Sequence, residues 1–418
     1  MKLKVTLAAT PFFFLLAFLP IYSPGSNGLV DSFANNTALS EGVKLSKKKK
    51  FDPARKKFEE SSRFWQAHHT SSLYLTILND VTNNRLKKKN AANIFKAVHE
   101  ELNAKSKKAL KQINKVVKKN EGYFPAHIIH ADILVSRENY EKAEKAFTQA
   151  INLAPDIALP YIFRAKFYAK LSRSEEAIAD MTRAITLDPA YGFGYFERGF
   201  TYCLQREYDK AIEDFEIAIR HHPDWEHSTV VIEAYHNRGV ERIQKKSYRK
   251  AIADFDRAIE IDPEYLNSYL SRARAYKKLK SYTKALKDFK HCIKSNPDFK
   301  EAYYQRALLH SARRHYTKAT TDFRAALKLS PEDTKLSFKI AESYYKADKY
   351  KKAIIEFNRV IELDQRYFWA YYWKGYAHKS LRQPKQAVRA FQNFLNNAPT
   401  QYYKQILHAE LEIKKLQR

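Results

Sequence analysis

The 418-residue chain holds only nine glycines, too little material for a loop that cradles phosphate with backbone N–H groups. It has two cysteines, Cys203 and Cys292, about 90 residues apart. That number excludes a disulfide framework and a thiolate metal site, and both read as buried free thiols. No HExxH, P-loop, dinucleotide fingerprint or nucleophile elbow occurs. No catalytic site, cofactor or metal is therefore expected, and the chain reads as a non-enzyme. Acidic residues are also in short supply, 46 against 75 Lys and Arg, for a net charge of +29. The shortage is uneven, since residues 1–123 carry 23 basic residues against 9 acidic ones. This asymmetry points to an acidic partner, or to an anionic membrane or envelope surface met by the N-terminal part.

Aromatic residues are abundant, with 26 Phe and 28 Tyr, and they recur on a fixed period. Pro155, Pro189 and Pro223 are 34 apart, as are Pro263, Pro297 and Pro331, and Pro399 stands two periods further on. Between them an alanine returns at Ala143, Ala177, Ala211, Ala251, Ala285, Ala319, Ala353 and Ala387. Four residues after each comes Phe147, Met181, Phe215, Phe255, Phe289, Phe323, Phe357 or Phe391. Upstream, Tyr195, Gly199 and Tyr202 share one helical stripe. Each unit thus reads as two helices around a turn.

This pattern resembles the tetratricopeptide repeat family. Tyr161, Ala165, Tyr168, Ala177, Met181, Ala184 and Pro189 spell it once, and Tyr269, Ala273, Tyr276, Ala285, Phe289, Cys292 and Pro297 spell it again. The resemblance covers roughly residues 90–418. It implies an all-α, right-handed superhelical solenoid of helix-turn-helix units with capping helices at both ends.

In chain order, residues 1–25 read as a signal peptide or membrane anchor. Lys2 and Lys4 precede the apolar run Val5–Tyr22, which Pro11 and Pro20 interrupt. The expectation is an exported protein, cleaved near residue 25 or retained through residues 1–22. Residues 26–50 read as a flexible basic linker, with a glycosylation acceptor at Asn35, and 51–89 as capping helices. Residues 90–123 form a degenerate repeat. Regular units begin near 124, 158 and 192, and again near 232, 266, 300, 334 and 368. A six-residue insertion around Trp225–Val231 separates the two runs, since Pro223 and Pro263 are 40 apart. Gln401–Arg418 is amphipathic and reads as a C-terminal cap.

Two histidine motifs have bland readings. His222-Pro223-Asp224 matches the tripeptide of J-domain cochaperones, but Pro223 is the in-register repeat proline. His127 and His130 occupy the fourth and seventh positions of their unit and read as packing residues. The seventh-position Arg164, Arg198, Arg238, Arg272 and Arg306 recur too regularly for a ligand contact and read as structural.

The resemblance places a partner groove on positions 2, 5, 9 and 12 of each first helix. The partner-binding candidates are Phe193, Phe196, Phe200, Tyr304, Phe338, Tyr345, Trp369, Tyr372, Trp373 and Tyr376. The four rings of the last unit stand out because packing is met there by Tyr371, Gly375 and His378. Chaperone-tail recognition through a carboxylate clamp is disfavoured, since only Asn237 matches it. The expected function is a scaffold or adaptor that binds a peptide or partner helix in an aromatic groove with basic edges. The rival is docking of the basic N-terminal region on anionic polymer or lipid. Nucleic-acid binding fits the charge alone, and the export signal argues against it.

Overall fold

The computed structural model describes residues 37–62 and 65–417, and every regular element among them is a helix. The apolar segment Met1–Tyr22 and Asn35, with the expectations of export, anchoring and glycosylation, lie outside the described residues. No helix among the described residues is long and apolar enough to cross a membrane. The chain divides into two compact units, residues 1–234 and 235–418.

The described part of the first unit opens with α1 (Thr37–Lys47), α2 (Phe51–Ser61) and α3 (Trp65–Thr82). Four hairpins follow: α4 (Lys88–Leu102) with α5 (Ser106–Lys119), α6 (Phe124–Ser136) with α7 (Tyr140–Leu153), α8 (Ala158–Lys170) with α9 (Ser174–Leu187), and α10 (Gly192–Leu204) with α11 (Tyr208–His221). A 3-10 turn at Pro223–His227 leads into α12 (Thr229–Gln244), within which the unit boundary falls. The second unit continues with α13 (Tyr248–Ile261), then pairs α14 (Leu266–Lys278) with α15 (Tyr282–Ser295) and α16 (Lys300–Ala312) with α17 (Tyr316–Lys328). It ends with α18 (Thr334–Lys346) and α19 (Tyr350–Leu363), α20 (Phe368–Ser380) and α21 (Pro384–Asn397), and α22 (Tyr403–Leu416).

One joint recurs through the hairpins, with Met181 in place of the ring in α8–α9 and Ile113 in α4–α5. The second-helix ring (Phe147, Phe215, Phe255, Phe289, Phe323, Phe357 or Phe391) is fully buried and faces a small residue at position 8 of the first helix. A Cβ added at Gly199 would lie 2.9 Å from the Phe215 ring, and one at Gly239 would lie 2.6 Å from Phe255. Burying such a ring contributes about 2–3 kcal/mol. The turn between the two helices uses one left-handed residue: Ala104, Glu138, Ser172, Arg206, Lys246, Lys280, Arg314, Asp348 and Arg382, none of them glycine. It closes each helix by a backbone bond five residues back, as from His315 N–H to the His310 carbonyl at 2.8 Å.

The seventh-position arginines Arg164, Arg198, Arg238, Arg272 and Arg306 each span their own hairpin. Arg164 grips both carboxylate oxygens of Asp180 at 2.7 and 2.8 Å, and Arg272 grips Asp288 at 2.9 and 2.8 Å. The third nitrogen reaches the preceding unit, at Thr148 and Asp256 respectively. One planar fork therefore ties three helices, a task that a lysine point charge would not perform.

The N-terminal region differs from its expectation. Thr37–Lys47 is helical where a flexible linker was expected, and Phe51–Ser61 is the second arm of a hairpin rather than a separate cap. The reason is the repeat joint in disguise. Gly42 sits so close to Phe58 that an added Cβ would be 2.3 Å from its ring. Ala54 stands four residues before that ring, and Lys49 supplies the left-handed turn at φ 60°. Helix α1 packs directly on α4. Lys49 and Ala104 are 55 residues apart, whereas Ala104 and Glu138 are 34 apart. The surplus is α3, inserted between two hairpins that stack without it.

The other insertion does two things. It forms the 3-10 turn and extends α12 to 16 residues, against 13 for α14. Trp225 in that turn is buried, stacks on His222 at 4.0 Å and meets the Phe193 ring edge-on at 4.1 Å. His222 of the cochaperone-like tripeptide is thus a packing residue.

Candidate partner-binding site

A first helix can offer a partner only the stripe that its own hairpin leaves uncovered. At about 100° per residue, position 5 lies roughly 60° from position 8, as near as position 11 on the other side. Position 5 therefore packs on the same second-helix ring. Phe196 lies 5.1 Å from Phe215, Tyr304 lies 5.9 Å from Phe323, and Phe338 lies 5.9 Å from Phe357. Position 12 turns to the next unit, as Tyr345 does 5.2 Å from Trp373. Position 5 thus belongs mainly to its own hairpin, and the residues left for a partner fall mostly at positions 2, 6, 9 and 12. The expectation of 2, 5, 9 and 12 is corrected in that respect.

In the first unit this stripe is filled. It is mostly apolar, with Leu159 and Phe163 on α8 and Phe193 and Phe200 on α10 all buried, beside a buried Glu197 and a half-buried Lys166. Phe193 is 1% exposed and Phe200 3%, so neither these two nor Phe196 lines an open groove. Helix α3 approaches here. His69 Nδ1 is 2.8 Å from Tyr191 Oη, and its Nε2 is 3.3 Å from a Glu197 carboxylate oxygen. Its ring meets Phe193 edge-on at 5.1 Å. Burial holds the His69 pKa below its ordinary value, against the pull of Glu197. The neutral ring then carries one proton, and Glu197 as acceptor requires it on Nε2, so Tyr191 donates to Nδ1. Further along α3, Leu73, Tyr74, Ile77 and Leu78 join the core, and Asp80 accepts from Tyr123 Oη at 2.9 Å.

In the second unit the same positions are mostly polar and less covered, with Ser271 buried and Leu308 apolar. Asn267 and Arg274 on α14 and Lys335 on α18 are exposed, and Glu301, Gln305, Leu308, Lys339 and Glu342 are half-buried. Lys277 reaches Gln305 Oε1 at 3.1 Å, and burial lowers its pKa. Glu342 is clasped by Lys339 and Lys346, each at 2.7 Å. Burial works to raise its pKa, but the two ammonium groups outweigh burial and hold it low. Asn237, the one clamp-like residue, is half-buried.

The last unit closes the stripe with rings. Trp369, Trp373 and Tyr376 are half-buried and Tyr372 is buried. The expectation that packing does not need them is corrected, because α22 lies against them. Tyr376 Oη is 2.8 Å and Tyr372 Oη 3.2 Å from His408 Nδ1, and Lys379 pairs with Glu412. Tyr372 also lies 4.8 Å from Phe394, and Trp369 lies 5.2 Å from Tyr402.

Other candidate chemistry is quiet. Cys203 and Cys292 are buried free thiols, and burial pushes the Cys292 pKa up to about 12. His127 Nε2 is 2.8 Å from the Glu121 carbonyl, and burial lowers His130 to about 4. Among the described residues no group of three or more His, Cys, Asp or Glu is placed to hold a metal.

Sequence reasoning missed position 6 (Glu197, Gln305, Lys339) and the whole role of α3. A partial signal was present: positions 2, 6 and 9 shift from mostly apolar (Leu159, Phe163, Phe193, Phe200, beside Lys166 and Glu197) to mostly polar (Asn267, Arg274, Gln305, Lys335, beside Leu308) with no change in the repeat frame.

Comparison with known proteins agrees with this architecture. Family profiles described as tetratricopeptide repeat match residues 130–191, 192–225, 232–265, 266–299, 304–367 and 369–400. No curated protein sequence matches. Among solved structures, YrrB, "a TPR protein with an unusual peptide-binding site", is 22% identical over 46% of this chain and 96% of its own, with a TM-score of 0.37. The C-terminal part of a TPR repeat-containing protein from Cytophaga hutchinsonii is 21% identical, over 58% of this chain and 97% of its own, with a TM-score of 0.47. Yeast Tom70 is 15% identical, over 91% of this chain and 96% of its own, with a TM-score of 0.37. On its matched units, which run across most of the described residues, the chain belongs to the tetratricopeptide repeat family.

Proposed function

We propose that the protein is an exported, non-catalytic scaffold that holds a partner peptide on the open first-helix stripe of its second unit. The observation that carries this reading is the contrast between the two units. The same positions are mostly apolar and buried near α3 in one, and mostly polar and half-buried to exposed in the other. Exposed Arg274 and Lys335 give the open stripe its basic character. Lys339 and Lys346 are taken up by Glu342, and Glu301 is held by Gln305. Trp369, Trp373 and Tyr376 add half-buried rings at its end. This surface favours an acidic, extended segment with one bulky apolar anchor, because rings and basic groups dominate such hot spots.

Dodecamer peptides selected from a random display library on the full chain supply the probe. Arg274→Glu with Lys335→Glu should weaken the selected peptides at least tenfold in fluorescence polarisation, and Lys290→Glu with Lys294→Glu should not. Equal weakening by both pairs would reduce the effect to net charge and sink the reading.

A further inference from the structure

Helix α5 departs from the charge pattern of the hairpins around it. Its 14 residues carry six lysines and no acid, above a buried face of Ala109, Ile113 and Val116. All six lysines are exposed, and none is ion-paired among the described residues. Some exposed cations elsewhere are matched along their own helices, as Lys145 is by Glu141 at 2.6 Å and Arg257 by Glu260 at 2.8 Å. Helix α15, with four exposed lysines, still carries Asp288 where α5 carries no acid. Lys107, Lys111, Lys115 and Lys119 stand four apart, so three like-charged pairs follow one another down the helix. Such pairs weaken a helix, and a face that only needed wetting would mix in glutamate. The row spans about 18 Å at 1.5 Å per residue. It also continues beyond the helix, because Asn90 donates to Asn120 at 2.8 Å and brings the start of α4 beside the end of α5. Exposed Lys87, Lys88 and Lys89 stand there.

The residue types select the partner. Lysine is a hydrated point charge that reads a surface potential, whereas bidentate phosphate recognition calls for arginine. The helix has no aromatic residue on which a base could stack. The same N-terminal part of the chain contains the apolar run Val5–Tyr22. An apolar anchor and a polybasic face are each marginal alone and stable together. We propose that the lysine row of α5, extended by Lys87–Lys89, docks the protein onto an anionic lipid bilayer. This surface is separate from the peptide stripe, so either can fail without the other.

The test is co-sedimentation of the full chain with phosphatidylcholine vesicles, with and without 30% phosphatidylglycerol. The ratio of the two affinities removes any contribution of the apolar run. The ratio should exceed tenfold, and should fall below about threefold in 0.5 M salt, where screening is nearly complete. It should fall as far in Lys107→Gln, Lys111→Gln, Lys115→Gln, Lys119→Gln, with circular dichroism unchanged. The matched control on α15, Lys284→Gln, Lys287→Gln, Lys290→Gln, Lys294→Gln, should keep it. Equal loss in both variants, or retention in the α5 variant, would overturn the proposal. So would an α5 variant that loses binding to a 20-base-pair DNA duplex while keeping its lipid preference.

Discussion

His69 and Glu197, 128 residues apart in sequence, meet at 3.3 Å in a site where both are buried. That contact joins an inserted helix to the first-helix stripe of a distant repeat, where Phe193 and Phe200 are buried rather than open. Removing the imidazole leaves a buried carboxylate short of a donor, at a cost of about 1–3 kcal/mol. In His69→Ala, amides at the start of α3 should exchange at least tenfold faster, while those of 73–82 stay protected. No change there would mean that α3 is held on α10 by other contacts.

Acid should loosen the second unit through His236. Burial lowers its pKa to about 4, and Phe255, Tyr265 and Ser268 surround it. A histidine depressed in the folded state binds fewer protons than in the unfolded chain. Stability is therefore full above about pH 6.5 and falls as pH drops toward 4, by up to about 3 kcal/mol. His236→Phe should flatten the decline in urea midpoint between pH 7.5 and 4.5. An unchanged slope would assign the decline to other groups.

The repeat turns hold a stability reserve. Lys280 and Arg314 sit at φ 59° and 60°, a region that costs a residue bearing a Cβ about 1–2 kcal/mol. Glycine avoids that cost and returns part of the gain as unfolded-chain entropy. Lys280→Gly with Arg314→Gly should add a net ~1 kcal/mol of stability for the pair, read as a higher urea midpoint at unchanged slope. A lowered midpoint would show that those side chains contribute more than their backbone costs.

The hairpins were legible in sequence because each residue type in the period has a single packing task. Ala211 and Phe215 mark a joint wherever they recur. The first hairpin escaped because only Gly42, Ala54 and Phe58 carry its joint, and the 55 residues from Lys49 to Ala104 break the period. The destination of α3 was not legible, since no period encodes a contact between His69 and Glu197. The stripe was misplaced by a small angle: Phe196 and Phe338 at position 5 lie too near position 8 to escape their own second helix.

Tyr372 illustrates the consequence. It packs on Phe394 and shares His408 with Tyr376. Tyr372→Ala should cost about 3 kcal/mol of stability, read as a lowered urea midpoint. A well-folded variant with an unchanged midpoint would return this ring to the partner surface.

The central claim is that partners are held by the second unit because the first is filled by its own helix. Hydrogen exchange of the full chain with and without a display-selected peptide tests it most directly. Added protection should appear in α14, α16 and α18 and leave α8 and α10 unchanged. Protection concentrated on α8 and α10, with faster exchange in α3, would mean that the peptide displaces α3, and would contradict the account.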